Sequence, residues 1–108
     1  MGQISEDKLE AHKIDFSSQI NERYLKTFAH KVEEILKAMT TGRHAPVSVT
    51  GDGDKVKAFA KALGREERYI NLLAASGAGT PEAMSERHQL ESAIAEFEQL
   101  TGIKWPVR

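Results

Sequence analysis

Between about Ser18 and Thr40 the chain carries a pattern that few structures other than a long amphipathic helix can satisfy. Leu25, Phe28, Val32, Ile35 and Met39 follow one another at spacings of three, four, three and four residues. A helix returns to the same side every 3.6 residues, so this spacing lines them along one face, which Ile20, Tyr24 and Leu36 widen. Ser17 or Ser18 is placed to cap the start by accepting from an amide of the first turn. Thr40-Thr41-Gly42 is placed to end the helix, with Gly42 suited to the left-handed position. At about 1.5 Å per residue such a helix is about 34 Å long, close to the whole width of a domain of this size. It must bend, cross the full core, or leave part of its face to a partner chain.

A helix of that length needs something to pack against, and the rest of the 108 residues supplies it in short pieces. Ala45-Pro46-Val47-Ser48-Val49-Thr50 alternates, is β-branched, and is bounded by Pro46 and Gly51, which reads as a strand. One strand cannot satisfy its own backbone. Its partner is sought in Ile14–Phe16, in Ile103–Val107, or in the same strand of a second chain. Asp52 or Asp54 then caps a helical segment with Val56, Phe59, Ala60 and Leu63 on its buried face. Gly64 interrupts this pattern before Tyr69, Ile70, Leu72 and Leu73 resume it, so one kinked helix or two short ones fit. After Ser76-Gly77-Ala78-Gly79, Thr80-Pro81-Glu82 opens a last helix with a hydroxyl cap, a proline in the first turn and an acid near the positive helix end. Met84, Leu90, Ala93, Ile94, Phe97 and Leu100 form its apolar face, and Gly102-Ile103 suits a Schellman-type ending.

The expected fold is therefore a helix-dominated α+β domain: three to four helices with a minor short-strand element around residues 46–50. Residues 1–13 are expected to form a flexible or weakly helical arm, and residues 14–108 a single globular domain.

Charge and composition narrow the function classes. Fifteen Lys and Arg stand against sixteen Asp and Glu, which excludes a protein that coats nucleic acid or acidic lipid by bulk electrostatics. No run approaches the ~18 consecutive apolar residues of a membrane span, and the polar start carries no apolar export signal. A cytoplasmic location is the expectation. Without cysteine there is no disulfide framework, thiol nucleophile or thiolate metal site.

Candidate chemistry is sparse. Gly51-Asp52-Gly53-Asp54-Lys55 lies between strand and helix, where phosphates often bind, but two aspartates oppose an anion and the spacing matches no P-loop. As a calcium loop it puts Val56 and Leu63 where oxygen ligands belong. A turn with a helix cap accounts for it. His30 shares a helix face with Glu33 and Glu34, but no second pair completes a three- or four-ligand metal site; His12, His44 and His88 read as solvated. Ser48 and Ser76 sit in no nucleophile-elbow context.

The sharpest local pattern lies in Val56 to Leu73. Phe59-Ala60, Leu63-Gly64, Ile70 and Leu73 stand at the relative spacings of a helix-turn-helix DNA reader, which the segment 54–75 resembles over about twenty residues. Arg65 and the pair Glu66-Glu67 depart from that motif, the latter by placing negative charge where the recognition helix would begin. The resemblance implies Lys57, Lys61, Arg65 and Arg68 on phosphates and Asn71 as a base reader. Local charge agrees weakly: residues 45–76 hold five bases and four acids, and residues 77–108 three bases and five acids.

The favoured expectation is a small non-catalytic protein-binding module, accessory or regulatory, whose partner is another protein or a second copy of itself. Tyr24, Phe28, Tyr69 and Trp105 are its expected contact residues, with no metal, no small-molecule cofactor and no membrane. DNA binding through 54–75 is the alternative.

Overall fold

The computed structural model describes residues 12–17, 19–42 and 46–107. In chain order the elements are β1 (His12–Asp15), α1 (Glu22–Thr40), β2 (Val47–Thr50), α2 (Gly53–Ser76) and α3 (Pro81–Thr101). The fold is the expected helix-dominated α+β type, with three helices and one two-stranded sheet among the described residues. Strand β1 begins at His12, inside the segment assigned to the arm; residues 1–11 lie outside the described residues.

Of the three partners considered for β2, the internal N-terminal one is realised. The strands run parallel, with His12 opposite Val47 and Asp15 opposite Thr50. Parallel strands require a crossover, and α1 supplies it. That helix starts later than expected, at Glu22, with Asn21 accepting from the Tyr24 amide at 2.8 Å. Ser17 does not cap it, because its amide and hydroxyl both donate to Asp15 Oδ1; Ser18 lies outside the described residues. The buried face of α1 is Phe28, Val32, Ile35 and Leu36. Ile20 and Leu25, expected on it, remain 40% and 41% exposed, because they sit at or before the first turn, where the chain has only begun to meet the core.

The expected interruption at Gly64 is absent. Helix α2 runs 24 residues without a break, capped by Asp52, which accepts from the Asp54 amide at 2.8 Å. The helix-turn-helix reading of 54–75 is thereby corrected: there is no turn, hence no second helix to enter a groove. A glycine inside a helix costs only about 1 kcal/mol relative to alanine, which packing on both sides of it readily outweighs. Helix α3 follows its sequence signals closely. Thr80 accepts from the Ala83 amide at 3.1 Å, and Gly102 adopts φ 73° with its amide donating to Glu98 O at 2.8 Å. That single bond is the simpler left-handed ending rather than the Schellman form, since the next amide, Ile103 N–H, donates to Thr101 Oγ1 instead. Met84 and Leu100 lie exposed on α3.

The core converges on phenylalanine. The chain has four: Phe16 just after β1, Phe28 on α1, Phe59 on α2 and Phe97 on α3. All six pairings among them have ring centroids 5.5 to 6.1 Å apart, within the range where rings attract beyond simple burial. Trp105 extends the cluster from the C-terminal segment, edge-on to Phe97 at 5.3 Å. Gly51 allows Phe16 into place. It holds φ +127°, and a Cβ there would come within 2.9 Å of the Phe16 Cβ.

Two glycine substitutions should therefore act in opposite directions. Gly64→Ala meets nothing within 4 Å and should stabilise by about 1 kcal/mol. Gly51→Ala combines a disfavoured dihedral with a clash and should destabilise by about 2 kcal/mol or more. Urea denaturation midpoints measure both; a loss of stability in Gly64→Ala would restore the turn.

Candidate functional site

In the parallel ladder His12 N–H donates to Pro46 O and Phe16 N–H to Thr50 O. Alternation then turns the backbone groups of His12, Ile14 and Phe16 toward β2 and those of Lys13 and Asp15 toward the other edge. Helix α1 lies along that edge. Tyr24, Thr27, Phe28 and Lys31 stand at i, i+3, i+4 and i+7 and share its near face. The Tyr24 hydroxyl donates to Asp15 O at 2.8 Å, and Lys31 Nζ donates to Lys13 O. Two side chains of α1 thus take the two outward carbonyls of β1.

Between these tethers lies a groove of about 280 Å³, lined by Lys13, Ile14, Asp15, Tyr24, Thr27, Phe28 and Lys31. Its floor is apolar: Ile14 and Phe28 are core residues, and the Tyr24 ring lies parallel to Phe28 at 6.3 Å. Its rim is charged, with Lys13 and Lys31 on it. The Asp15 carboxylate is engaged by Ser17 and by the Thr50 hydroxyl at 3.1 Å. Burial, and then the negative charge of Asp15, push the Tyr24 phenol above its usual value, so it stays a protonated donor through the neutral range.

Of the four expected contact residues, the structure brings Tyr24 and Phe28 together here, with Tyr24 half-buried. Three of the four expected contact residues lie in the interior. Phe28, Tyr69 and Trp105 are 3%, 6% and 2% exposed, because the aromatic surface of so small a chain is consumed by its own core. Trp105 is a plug: its indole N–H donates to Glu66 Oε1 at 3.0 Å and its amide to Glu98 Oε2 at 2.9 Å. Glu66, expected at the entrance of a recognition helix, is fully buried.

The basic residues are equally redirected. Arg65 Nη1 lies 3.0 Å and Arg68 Nε 3.9 Å from Glu86 Oε1, and Lys61 lies 3.5 Å from Glu96. Three of the five residues assigned to DNA therefore face carboxylates of α3, while Lys57 and Asn71 remain exposed. No group of three or more His, Asp or Glu among the described residues is placed to hold a metal ion, and no helix among them is long and apolar enough to cross a membrane. His44 lies outside the described residues. Sequence reasoning missed Lys13, Ile14, Asp15, Thr27 and Lys31 as a site. The i, i+3, i+7 spacing of Tyr24, Thr27 and Lys31 was the available signal, but only strand pairing reveals what that face meets. The chain matches no protein-family model, no curated protein and no solved structure.

The Tyr24 tether has a pH signature. Because its folded value is raised, its stabilisation is complete below the ordinary tyrosine value of about 10 and is lost as pH rises through the raised value. Tyr24→Phe should cost about 1 kcal/mol near neutrality. The gap to wild type should hold below about pH 10 and narrow as pH rises above it, as followed by urea denaturation; a constant gap would disconnect the hydroxyl from stability.

Proposed function

We propose that this chain is a small, non-catalytic protein-binding module of the cytoplasm, and that the groove between β1 and α1 receives the partner. One observation supports the reading: a recess walled by the half-buried Tyr24 over the buried Ile14 and Phe28 carries two lysines, Lys13 and Lys31, at one end. An apolar recess with a few convergent polar groups is the ordinary form of a recognition site. Apolar contact supplies affinity, and the rim ammonium groups select and steer. The complementary partner presents an apolar side chain flanked by carboxylates.

Thr27 lines the groove and its side chain is exposed, so a photoreactive residue at position 27 reports occupancy without disturbing the core. In cells it should yield one discrete adduct with a second polypeptide, and position 92 on α3, also exposed, should not. Lys13→Glu with Lys31→Glu should reduce the adduct by about tenfold, and added salt should weaken it. Equal labelling at 27 and 92 would remove the groove from consideration. Salt-dependent duplex binding lost in Lys57→Glu would install the DNA reading instead.

A further inference from the structure

The two edges of the sheet are treated differently. On β1 the outward carbonyls of Lys13 and Asp15 are taken by Lys31 and Tyr24. On β2 the same alternation turns Pro46, Ser48 and Thr50 toward β1 and leaves the N–H and C=O groups of Val47 and Val49 pointing away from it. Among the described residues these groups meet no backbone or side-chain partner. The helix that meets the sheet most extensively, α1, does so at β1. An open edge of this kind is a template for another strand, and a two-stranded sheet is marginal without one or without a covering element.

We propose that β2 of a second copy occupies this edge, antiparallel, about a two-fold axis through Ser48, giving the sheet order β1–β2–β2–β1 across the dimer. The register is self-complementary. Val47 faces Val49 of the other copy and Val49 faces its Val47, each pair exchanging both bonds, about four N–H···O=C bonds in all. The partly buried Val47 and Val49 side chains lie against their own core, while Ser48 and Thr50 are exposed, so the pairing acts through backbone bonds rather than through newly buried valine. Charge selects the antiparallel direction. His12 and Lys13 mark the starting end of the sheet, and Asp15, Asp52 and Asp54, against Lys55 alone, mark the finishing end. Antiparallel pairing turns the Lys13 end of one copy toward the Asp52 and Asp54 end of the other, a favourable longer-range field that salt weakens, whereas parallel pairing turns like ends together. The interface is isologous and closes, and it is separate from the groove, so neither proposal depends on the other.

Ser48 provides the test, since on the axis it faces its own copy in a non-hydrogen-bonded pair with Cα atoms about 4.5 Å apart, within disulfide reach. The chain has no cysteine of its own. The 108-residue chain should sediment at twice its 12.0 kDa mass. Ser48→Cys should form a disulfide-linked dimer under mild oxidation, well ahead of Ser92→Cys, an exposed position on α3. Ser48→Glu and Ser48→Lys should each run as folded monomers by circular dichroism, and an equimolar mixture should recover the dimer mass. A wild-type monomer at high concentration, a dimer that survives Ser48→Glu, or equal cross-linking at 48 and 92 overturns the proposal. Should a charged variant fail to fold, the cysteine comparison decides alone.

Discussion

Everything else in this molecule is arranged around the contact of four phenyl rings. Phe16, Phe28, Phe59 and Phe97 come from four different segments, yet each touches the other three. A chain of this size buries only part of the surface it exposes when unfolded, so its net stability is small. Spending all the phenylalanines on one mutual contact means that no pair of elements can dock without the others. The sheet must end where Phe16 can enter, which the φ of Gly51 permits. Trp105 must fold back to cover Phe59 and Phe97, which in turn requires Gly102 to end α3 sharply. Aromatic side chains so employed are not free for partners, which is why three of the four expected anchors are interior.

What could be read from the sequence divides along the range of the interaction responsible. The ends of α3 were legible because caps act over three or four residues: Thr80, Pro81 and Gly102 do locally what they do in any helix. The start of α1 was misread for an equally local reason. Asp15 competes for Ser17, so the cap passes to Asn21. Gly64 misled because propensity is a weak prior; a helix packed on both sides of a glycine does not break there. Tyr24 and Phe28 stand out in the sequence by their aromatic character, and both line the groove. Lys13 and Lys31 do not stand out, since nothing in the sequence says that α1 lies along the outer edge of β1 rather than over its face.

Part of the charge balance of the chain is matched by pairing between α2 and α3. The slightly basic centre and the acidic last helix are the two halves of one helical hairpin. Glu86 accepts Arg65 and lies near Arg68, while Glu96 lies near Lys61. Exposed pairs of this sort contribute little each. Glu86 is largely buried, however, and a buried carboxylate left without its guanidinium would cost far more than the pair yields. The charges therefore act mainly as a constraint on register between α2 and α3. That same pairing sets Lys61, Arg65 and Arg68 near carboxylates of α3, while Lys57 stands exposed beside them.

The groove follows from the geometry of closing one sheet edge with a helix. Tyr24 reaches Asp15 and Lys31 reaches Lys13, so the later helical residue meets the earlier strand residue and α1 runs back against β1, as a crossover must. The tethers are seven helical residues apart, about 10 Å at 1.5 Å per residue, while the carbonyls they reach are two strand residues apart, about 7 Å. The spans do not match, and the rigid phenol and the flexible lysine absorb the difference. The residues between the tethers, Thr27 and Phe28, cannot close onto the strand, and a recess remains over Ile14. A third strand there would have left no such space. Sealing the edge of β1 with side chains instead of backbone is what makes one side of the sheet a recess and leaves the other, along β2, as the sheet's open backbone edge.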